Sequence, residues 1–438
     1  MSIKRMSLGG FAAAILFMLP LAAQAALAIQ HWQTPQGARV YFVESHELPM
    51  LDIAVDFPAG SARDPAGQSG LARLTHGLLD QGASGLSDTN IAHRLADVGA
   101  VLSGNFDRDR AGVKLRTLSS AREREAALDI LTRVLQRPDF PQAVIAREKR
   151  RLVAAIREAE ADPGSVVSKA FFHALYGSHP YARDPDGDPA EIGRLKRRDL
   201  VRFYHTHYSA PNAVIAIIGD LSRAEAEAIA SRLAAGLPTA AALPSLPQPV
   251  APAASETWLP HPSTQSHVRV GALGIARNDP DYFPLFVGNY VLGGGGFDSQ
   301  LLKEVRDKRG FAYSAYSYFA PMGATGPFQL GLQTKGEQTD DALRVARTTL
   351  AEFIARGPSE AELMQAKSNL AGGFPLRIDS NRKILDYLSM IGFYQLPLDY
   401  LDTWVDQVNA VDVAAVKDAF ARRLDPDRLV TVVVGGAR

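Results

Sequence analysis

Apolar positions recur along the chain with two different periods, and runs of the two kinds follow one another in the same order twice. Leu51, Ile53, Val55 and Phe57 alternate with Asp52, Ala54 and Asp56, the period-two pattern of a strand with one face in a core and the other in water. Gly60 and Pro65 break this run, after which Leu71, Leu74, Leu78 and Leu79 recur at helical spacing. Further on, Val268, Val270, Ala272 and Gly274 alternate, Asp279-Pro280 interrupts, and 283–292 reads as a helix. Long amphipathic helices are predicted over 121–136, 143–160, 340–355 and 360–372. Both series close alike. A helix at 199–208 precedes an apolar strand at 213–219, and a helix at 411–424 precedes one at 429–435. The repeated order predicts an α+β fold of two homologous domains, each a mixed sheet with helices.

Between the two series lies GLPTAAALPSLPQPVAPAA, residues 236–254, with five prolines, no charge and no periodicity. Such a stretch reads as a semi-rigid linker, which sets the domains at 26–235 and 255–438. Residues 1–25 form a unit of their own. Lys4 and Arg5 precede an apolar run from Phe11 to Ala23, and Ala23-Gln24-Ala25 has the pattern of a signal-peptidase site. This predicts a secretory signal peptide, export to an oxidising compartment (the bacterial periplasm), and no membrane span once the signal is removed.

Composition narrows the chemistry. With 46% hydrophobic and 21% charged residues over 438 positions, the chain has the make-up of a globular protein with ample core. Lys and Arg number 47 and so do Asp and Glu, and loss of Lys4 and Arg5 with the signal leaves 45 against 47. That balance argues against nucleic acid as a partner. The absence of cysteine removes disulfides, Cys-ligated zinc, iron–sulfur clusters and a cysteine nucleophile, so any metal would rest on the 10 His and the carboxylates. Neither H-E-x-x-H nor H-x-x-E-H occurs; Met50 stands where His46-Glu47 would need its second His. The four glycines at 293–296 do not complete a dinucleotide fingerprint, because Asp298 takes the place of the last glycine. His205-x-His207 has clip-like spacing but reads as structural, and the basic runs at 147–151 and 196–198 read as solvated helix faces.

The segment 69–82, SGLARLTHGLLDQG, resembles the zinc helix of the pitrilysin/insulinase family of metallopeptidases, which includes the mitochondrial processing peptidase. Active members read G-L-A-H-x-x-E-H there. Gly70, Leu71 and Ala72 are kept, but Arg73 and Gly77 hold the two His positions and His76 holds the Glu position. The family's third ligand, a Glu on a later helix, falls within REKRRLVAAI (147–156), where the matching place is Ala154 with Ala155 beside it. The resemblance therefore implies a member without the zinc motif and with no cofactor of its own. One imidazole beside a guanidinium cannot make the three-ligand set of a catalytic zinc.

Family-like passages continue at 179–185 and 203–220, and above all at 292–319, LGGGGFDSQLLKEVRDKRGFAYSAYSYF. In the family this last stretch carries an Arg/Tyr pair, seven residues apart, that reaches across to a zinc domain. The match is Arg306 and Tyr313. The resemblance implies that both bind substrate and that Tyr313 stabilises, in trans, the oxyanion formed from the scissile carbonyl. From the residues alone, a helix at 299–308 stopped by Gly310 and a strand at 313–319 let Arg306 and Tyr313 face one mouth. The same positions equally suit an Arg favoured by the helix dipole and a Tyr favoured in a strand, and Tyr316 and Tyr318 read as strand residues.

The family architecture is a clamshell of four homologous domains, of which this chain holds two. The resemblance thus implies a heterodimer for peptide hydrolysis. A homologous zinc-binding subunit would supply the metal and the general base, while this chain would supply Arg306, Tyr313 and half of the chamber wall. The alternative is a non-catalytic scaffold or peptide-binding subunit.

Overall fold

The computed structural model of the chain describes residues 27–435, so the expected signal peptide at 1–25 lies outside the described residues. Two sheets organise the fold. The first comprises β1 (Gln30–Gln33), β2 (Arg39–Glu44), β3 (Met50–Phe57), β4 (Val101–Phe106), β5 (Ala111–Leu118) and β6 (Val214–Gly219), in the order β1-β2-β6-β3-β5-β4. The second comprises β7 (Ser255–Leu259), β8 (Gln265–Leu273), β9 (Ala312–Phe319), β10 (Pro327–Lys335) and β11 (Val430–Val434), in the order β7-β11-β8-β10-β9. Leaving out the edge strand β1, the two orders correspond strand for strand. Directions match too: β2 with β6 and β7 with β11 are parallel, and the remaining corresponding pairs are antiparallel. The expected duplication is therefore present in the topology itself.

The amphipathic patterns form helices where the sequence places them, at Ala121–Gln136, Gln142–Ala159, Thr339–Arg356 and Glu360–Gly373. The last opens with Ser359, which accepts from the Glu362 amide while the Glu362 carboxylate accepts from Ser359, a reciprocal cap that satisfies donors the helix start leaves free. These layers bury one face of each sheet. Ile53, Val55 and Phe57 meet Leu128 and Leu131 in the first core, and Val268, Val270 and Leu330 meet Leu350 and Phe420 in the second.

The other face of each sheet is covered by a helix from the opposite half of the sequence. Helix Pro163–Tyr176, from the first half, packs on β8 and β11 of the second sheet, where Val167, Phe171 and Leu175 meet Val430, Val432 and Val434. Helix Asn381–Tyr394, from the second half, packs on β2, β3 and β6 of the first sheet, where Ile384, Leu385 and Leu388 meet Val43, Ala54, Ala216 and Ile218. The two helices occupy equivalent places in the two halves and are exchanged reciprocally.

This exchange corrects one expectation. Strand β3 is not half-solvated: Asp52 and Asp56 are buried because the exchanged helix covers them. Asp52 is held by the Arg116 guanidinium at 2.7 and 3.1 Å, and Asp56 accepts from Asn105 Nδ2 at 2.8 Å and from the Ser389 hydroxyl across the interface. The proline-rich stretch at 236–254 runs between the two halves and is pinned to them. It carries no regular structure, yet Arg63 and His179 bond the carbonyls of Pro244 and Pro247, and Leu246 packs into the cluster around Phe171. It is a strap laid over an interface already closed by the helices.

If the halves are interlocked in this way, they unfold together. Leu388→Ala removes a fully buried side chain and should cost about 2–5 kcal/mol. Denaturation followed by tryptophan fluorescence and by far-UV circular dichroism should still show one coincident transition, shifted as a whole. Two separated transitions would contradict the interlock.

Candidate functional site

Helix Leu71–His76 is short and is fixed at its start by Asp64, whose carboxylate accepts from the amides of Gly70 at 2.7 Å and Ala72 at 2.6 Å. Burial pushes the Asp64 carboxyl up to about 7 against the pull of those two amides. Leu71 and Leu74 anchor the helix in the first core. Its outer side lines a cleft of about 490 Å³ with Arg73, His76 and Gly77, facing Ser103 and Gly104 of β4 and Glu148, Arg151, Leu152 and Ala155 of helix Gln142–Ala159.

The cleft sits where the resemblance puts a metal, but its side chains do not fit one. Arg73 brings a positive charge, paired with Asp186 at 3.3 Å, and Gly77 brings no side chain. His76 stacks on Phe106, with ring centroids 5.6 Å apart, in space that β4 leaves open because position 104 is glycine; a Cβ there would lie 2.7 Å from His76 Nε2. Its Nδ1 is buried without a hydrogen-bond partner. Burial, reinforced by the Arg73 charge, pushes the imidazole pKa down to about 4. Among the described residues no group of three or more His, Asp and Glu side chains could hold a metal.

The later-helix position needs a correction. The sequence match places it at Ala154, whereas Glu148, Arg151, Leu152 and Ala155 form the face that lines the cleft. Ala154 is one residue before Ala155 and so is turned about 100° around the helix axis. Either residue offers only a methyl group.

Arg306 and Tyr313 belong to a second constellation, in the other domain. The predicted helix at 299–308 is instead a single α-turn, Gln300–Leu302, that widens into a π-turn at Lys303–Asp307. A second π-turn, Tyr290–Gly294, precedes the glycine run; such turns frequently accompany functional sites. Strand β9 begins with an irregularity: Thr334 pairs with Ala312 and Gln333 with Ser314, which leaves Tyr313 as the extra residue of a bulge on an edge strand. A bulge re-aims the side chain it carries, and Tyr313 is 84% exposed. The Arg306 guanidinium lies 5.0 Å from the Tyr313 ring centroid and 5.1 Å from that of Phe297.

The structure thus brings Arg306 and Tyr313 together. It adds Phe297, which sequence reasoning passed over. The available signal was an aromatic residue directly after four glycines, where a buried side chain has no support; Phe297 is 73% exposed. Among the described residues Arg306 enters no ion pair. Of the other histidines singled out, His205 is exposed, whereas His46 and His207 are structurally engaged. His46 bonds Asp220 at 2.6 Å and Glu44 at 2.9 Å, while His207 stacks on Phe203 with its Nδ1 2.9 Å from that residue's carbonyl.

Two equivalent α+β domains, one with a cleft that lacks metal ligands and the other with an exposed Tyr313 beside a half-buried Arg306, define a peptidase-like half-clamshell. Family models place it further. Insulinase (peptidase family M16) matches residues 39–185, and the peptidase M16 inactive domain matches 194–370. The crystal structure of a peptidase M16 inactive domain from Pseudomonas fluorescens is 40% identical, with a TM-score of 0.91 over 94% of this chain and 98% of that one. The non-peptidase homolog YmxG of Helicobacter pylori is 26% identical over 94% of this chain and 95% of its own length. An uncharacterized zinc protease of Streptomyces coelicolor is 25% identical over 89% and 86%, respectively. The chain belongs to peptidase family M16, the insulinase family.

The burial of His76 has a measurable consequence. Its folded-state pKa, about 4, lies below the 6.5 of a free imidazole, so the unfolded chain takes up this proton first as pH falls. The His76 contribution to stability is complete above pH 6.5 and is lost as pH drops from about 6.5 towards 4. Urea midpoints measured across that range should fall less steeply for His76→Gln than for the parent chain; identical slopes would place the imidazole in solvent.

Proposed function

We propose that this chain is the non-zinc-binding subunit of a two-chain peptidase, which it completes by supplying substrate-binding and oxyanion-stabilising groups to a homologous subunit that carries the metal. The observation behind this reading is the division between the domains: the cleft at Arg73, His76, Gly77 and Ala155 has no ligand set, yet Tyr313 stands exposed beside a half-buried Arg306 that enters no ion pair among the described residues.

The chemistry of this chain's residues suits that role. A phenol donates a hydrogen bond without carrying charge, so Tyr313 can meet a carbonyl oxygen as negative charge develops on it. A donor aimed at such an oxyanion is worth roughly 10²–10³ in rate. The Arg306 fork can donate to backbone carbonyls of an extended peptide, and its two flanking rings restrict the directions in which it points. The zinc and the base belong to the partner chain. Two domains amount to half of the family's clamshell, which supports pairing with a second two-domain chain. The sequence at 1–25 supports export, and we place the complex in the periplasm; among the described residues no helix is long and apolar enough to cross a membrane. A purely structural subunit is the second reading, favoured by the loss of every ligand position.

Purified alone, the chain should contain zinc far below one equivalent by elemental analysis and should leave unfolded peptides uncut. With its zinc-bearing partner, Tyr313→Phe should lower kcat by roughly 10²–10³ while leaving complex formation intact. Unchanged turnover would favour the structural reading.

A further inference from the structure

We propose that the outer face of the second sheet over β9 and β10, beside Tyr313 and beyond the part that helix Pro163–Tyr176 covers, selects extended peptides with acidic side chains. The inference rests on the reading that peptide passes Arg306 and Tyr313, and it names the class of peptide. Along β9, Ala315 and Phe319 point into the second core, which leaves Ser314, Tyr316 and Tyr318 on the opposite face. Tyr316 and Arg269 both pair with Gly331, one from each side. With no side chain at 331, Arg269 lies across the intervening strand, its guanidinium 5.5 Å from the Tyr316 ring centroid. A Cβ at 331 would stand 2.3 Å from Arg269 Nη1 and 2.8 Å from Tyr316 Cζ. The Tyr316 and Tyr318 rings are nearly parallel, at 11° and 6.1 Å.

Arg108, from the turn between β4 and β5, joins this face and stands 3.6 Å over the Phe172 ring. Burial raises the Tyr318 phenol, and the charges of Arg269 and Arg108 both pull against that rise. Among the described residues neither enters an ion pair; Arg108 Nε donates to the Tyr181 carbonyl at 3.1 Å, and Arg269 makes one long contact, 3.4 Å, to the Val268 carbonyl. Nearby carboxylates are engaged elsewhere. Asp107 holds Arg110 at 3.1 Å, Asp184 faces Lys169 at 3.7 Å, and Asp162, beside His267, caps Ser165 at 2.8 Å.

Arg306 and Arg269 therefore share one arrangement, a guanidinium beside an aromatic ring that enters no ion pair among the described residues, and Arg108 adds a third ring-backed guanidinium, one that also feels the charges of Asp184 and Asp107. Such groups are partly desolvated in advance and bind carboxylates through charge-assisted, often paired hydrogen bonds. From Tyr313 to Tyr318 the strand covers about 17 Å, the length of roughly five extended residues. A peptide running alongside β9 would present its acidic side chains to Arg269 and Arg108 a few positions from the bond held at Tyr313.

The test is direct binding to the intact chain without its partner, read by fluorescence anisotropy. Matched unstructured peptides rich in Glu, Gln or Lys would be compared at low and at physiological salt. The Glu-rich peptide should bind about tenfold or more tighter than the Gln-rich one, with the difference shrinking as salt rises. Arg269→Gln should remove about tenfold of that preference at an unchanged melting temperature, and Arg269→Lys should restore part of it. Equal binding of the Glu- and Gln-rich peptides, or preference for the Lys-rich one, would overturn the proposal whatever the variants do. So would an oligonucleotide of equal charge that competes as well as the peptide, because the face would then be a general polyanion surface. No turnover is measured here, so failure leaves the Tyr313 role to its own kinetics, and failure of those kinetics leaves the acidic preference standing.

Discussion

The reciprocal exchange of helices Pro163–Tyr176 and Asn381–Tyr394 is the constraint on which the rest of the molecule depends. Strands such as β6 and β11 are buried along their whole length, so each sheet needs cover on two faces. The half of the sequence that makes a sheet covers only one of them. Covering the second face from the other half ties two cores into one body. Polar groups close the same seam: Asp109 accepts from Tyr394 at 3.0 Å, from the Gly323 amide at 2.7 Å and from the Tyr181 hydroxyl. These donors compensate a carboxyl that burial pushes up. In such a body the cleft at His76 and the Arg306–Tyr313 pair are held in fixed relation to each other.

The two halves share topology and differ in chemistry. In the first, the metal helix survives as a structural element because Asp64 holds its start and Leu71 and Leu74 hold its inner side. With the core contacts made from the inner side, guanidinium, imidazole and glycine occupy the outer positions without disturbing the packing of Leu71 and Leu74. In the second, the bulge on an edge strand, the π-turns and the exposed Phe297 are features that packing alone does not call for. A local feature that costs stability and packs against nothing is a physical mark of function.

The sequence showed the strands, the long helices and the duplication because each has a periodicity that one face of burial imposes. It did not show which elements would be buried twice. Asp52 and Asp56 look like the solvent side of a strand, and only a helix more than 300 residues away, whose Ser389 bonds Asp56, makes them internal. Helices Pro163–Tyr176 and Asn381–Tyr394 each carry a helical stripe, Ile384, Leu385, Leu388 and Ile391 in the second, but nothing in that stripe says that it faces the sheet of the opposite half. The metal positions at Arg73, His76 and Gly77 were legible through a local motif. The later helix was legible only to within one residue, because a motif without its Glu has nothing to fix the register between Ala154 and Ala155. Arg269 over Tyr316 was out of reach, since it depends on Gly331 in the strand between them.

The most direct measurement is a structure of the assembled pair with a non-cleavable peptide bound. The account requires the hydroxyl of Tyr313 within hydrogen-bonding distance of the carbonyl held at the partner's metal, with the Arg306 guanidinium on the adjoining peptide backbone. A complex in which both side chains face away from that metal, or are covered by the partner's surface, would contradict it and leave this chain as scaffold.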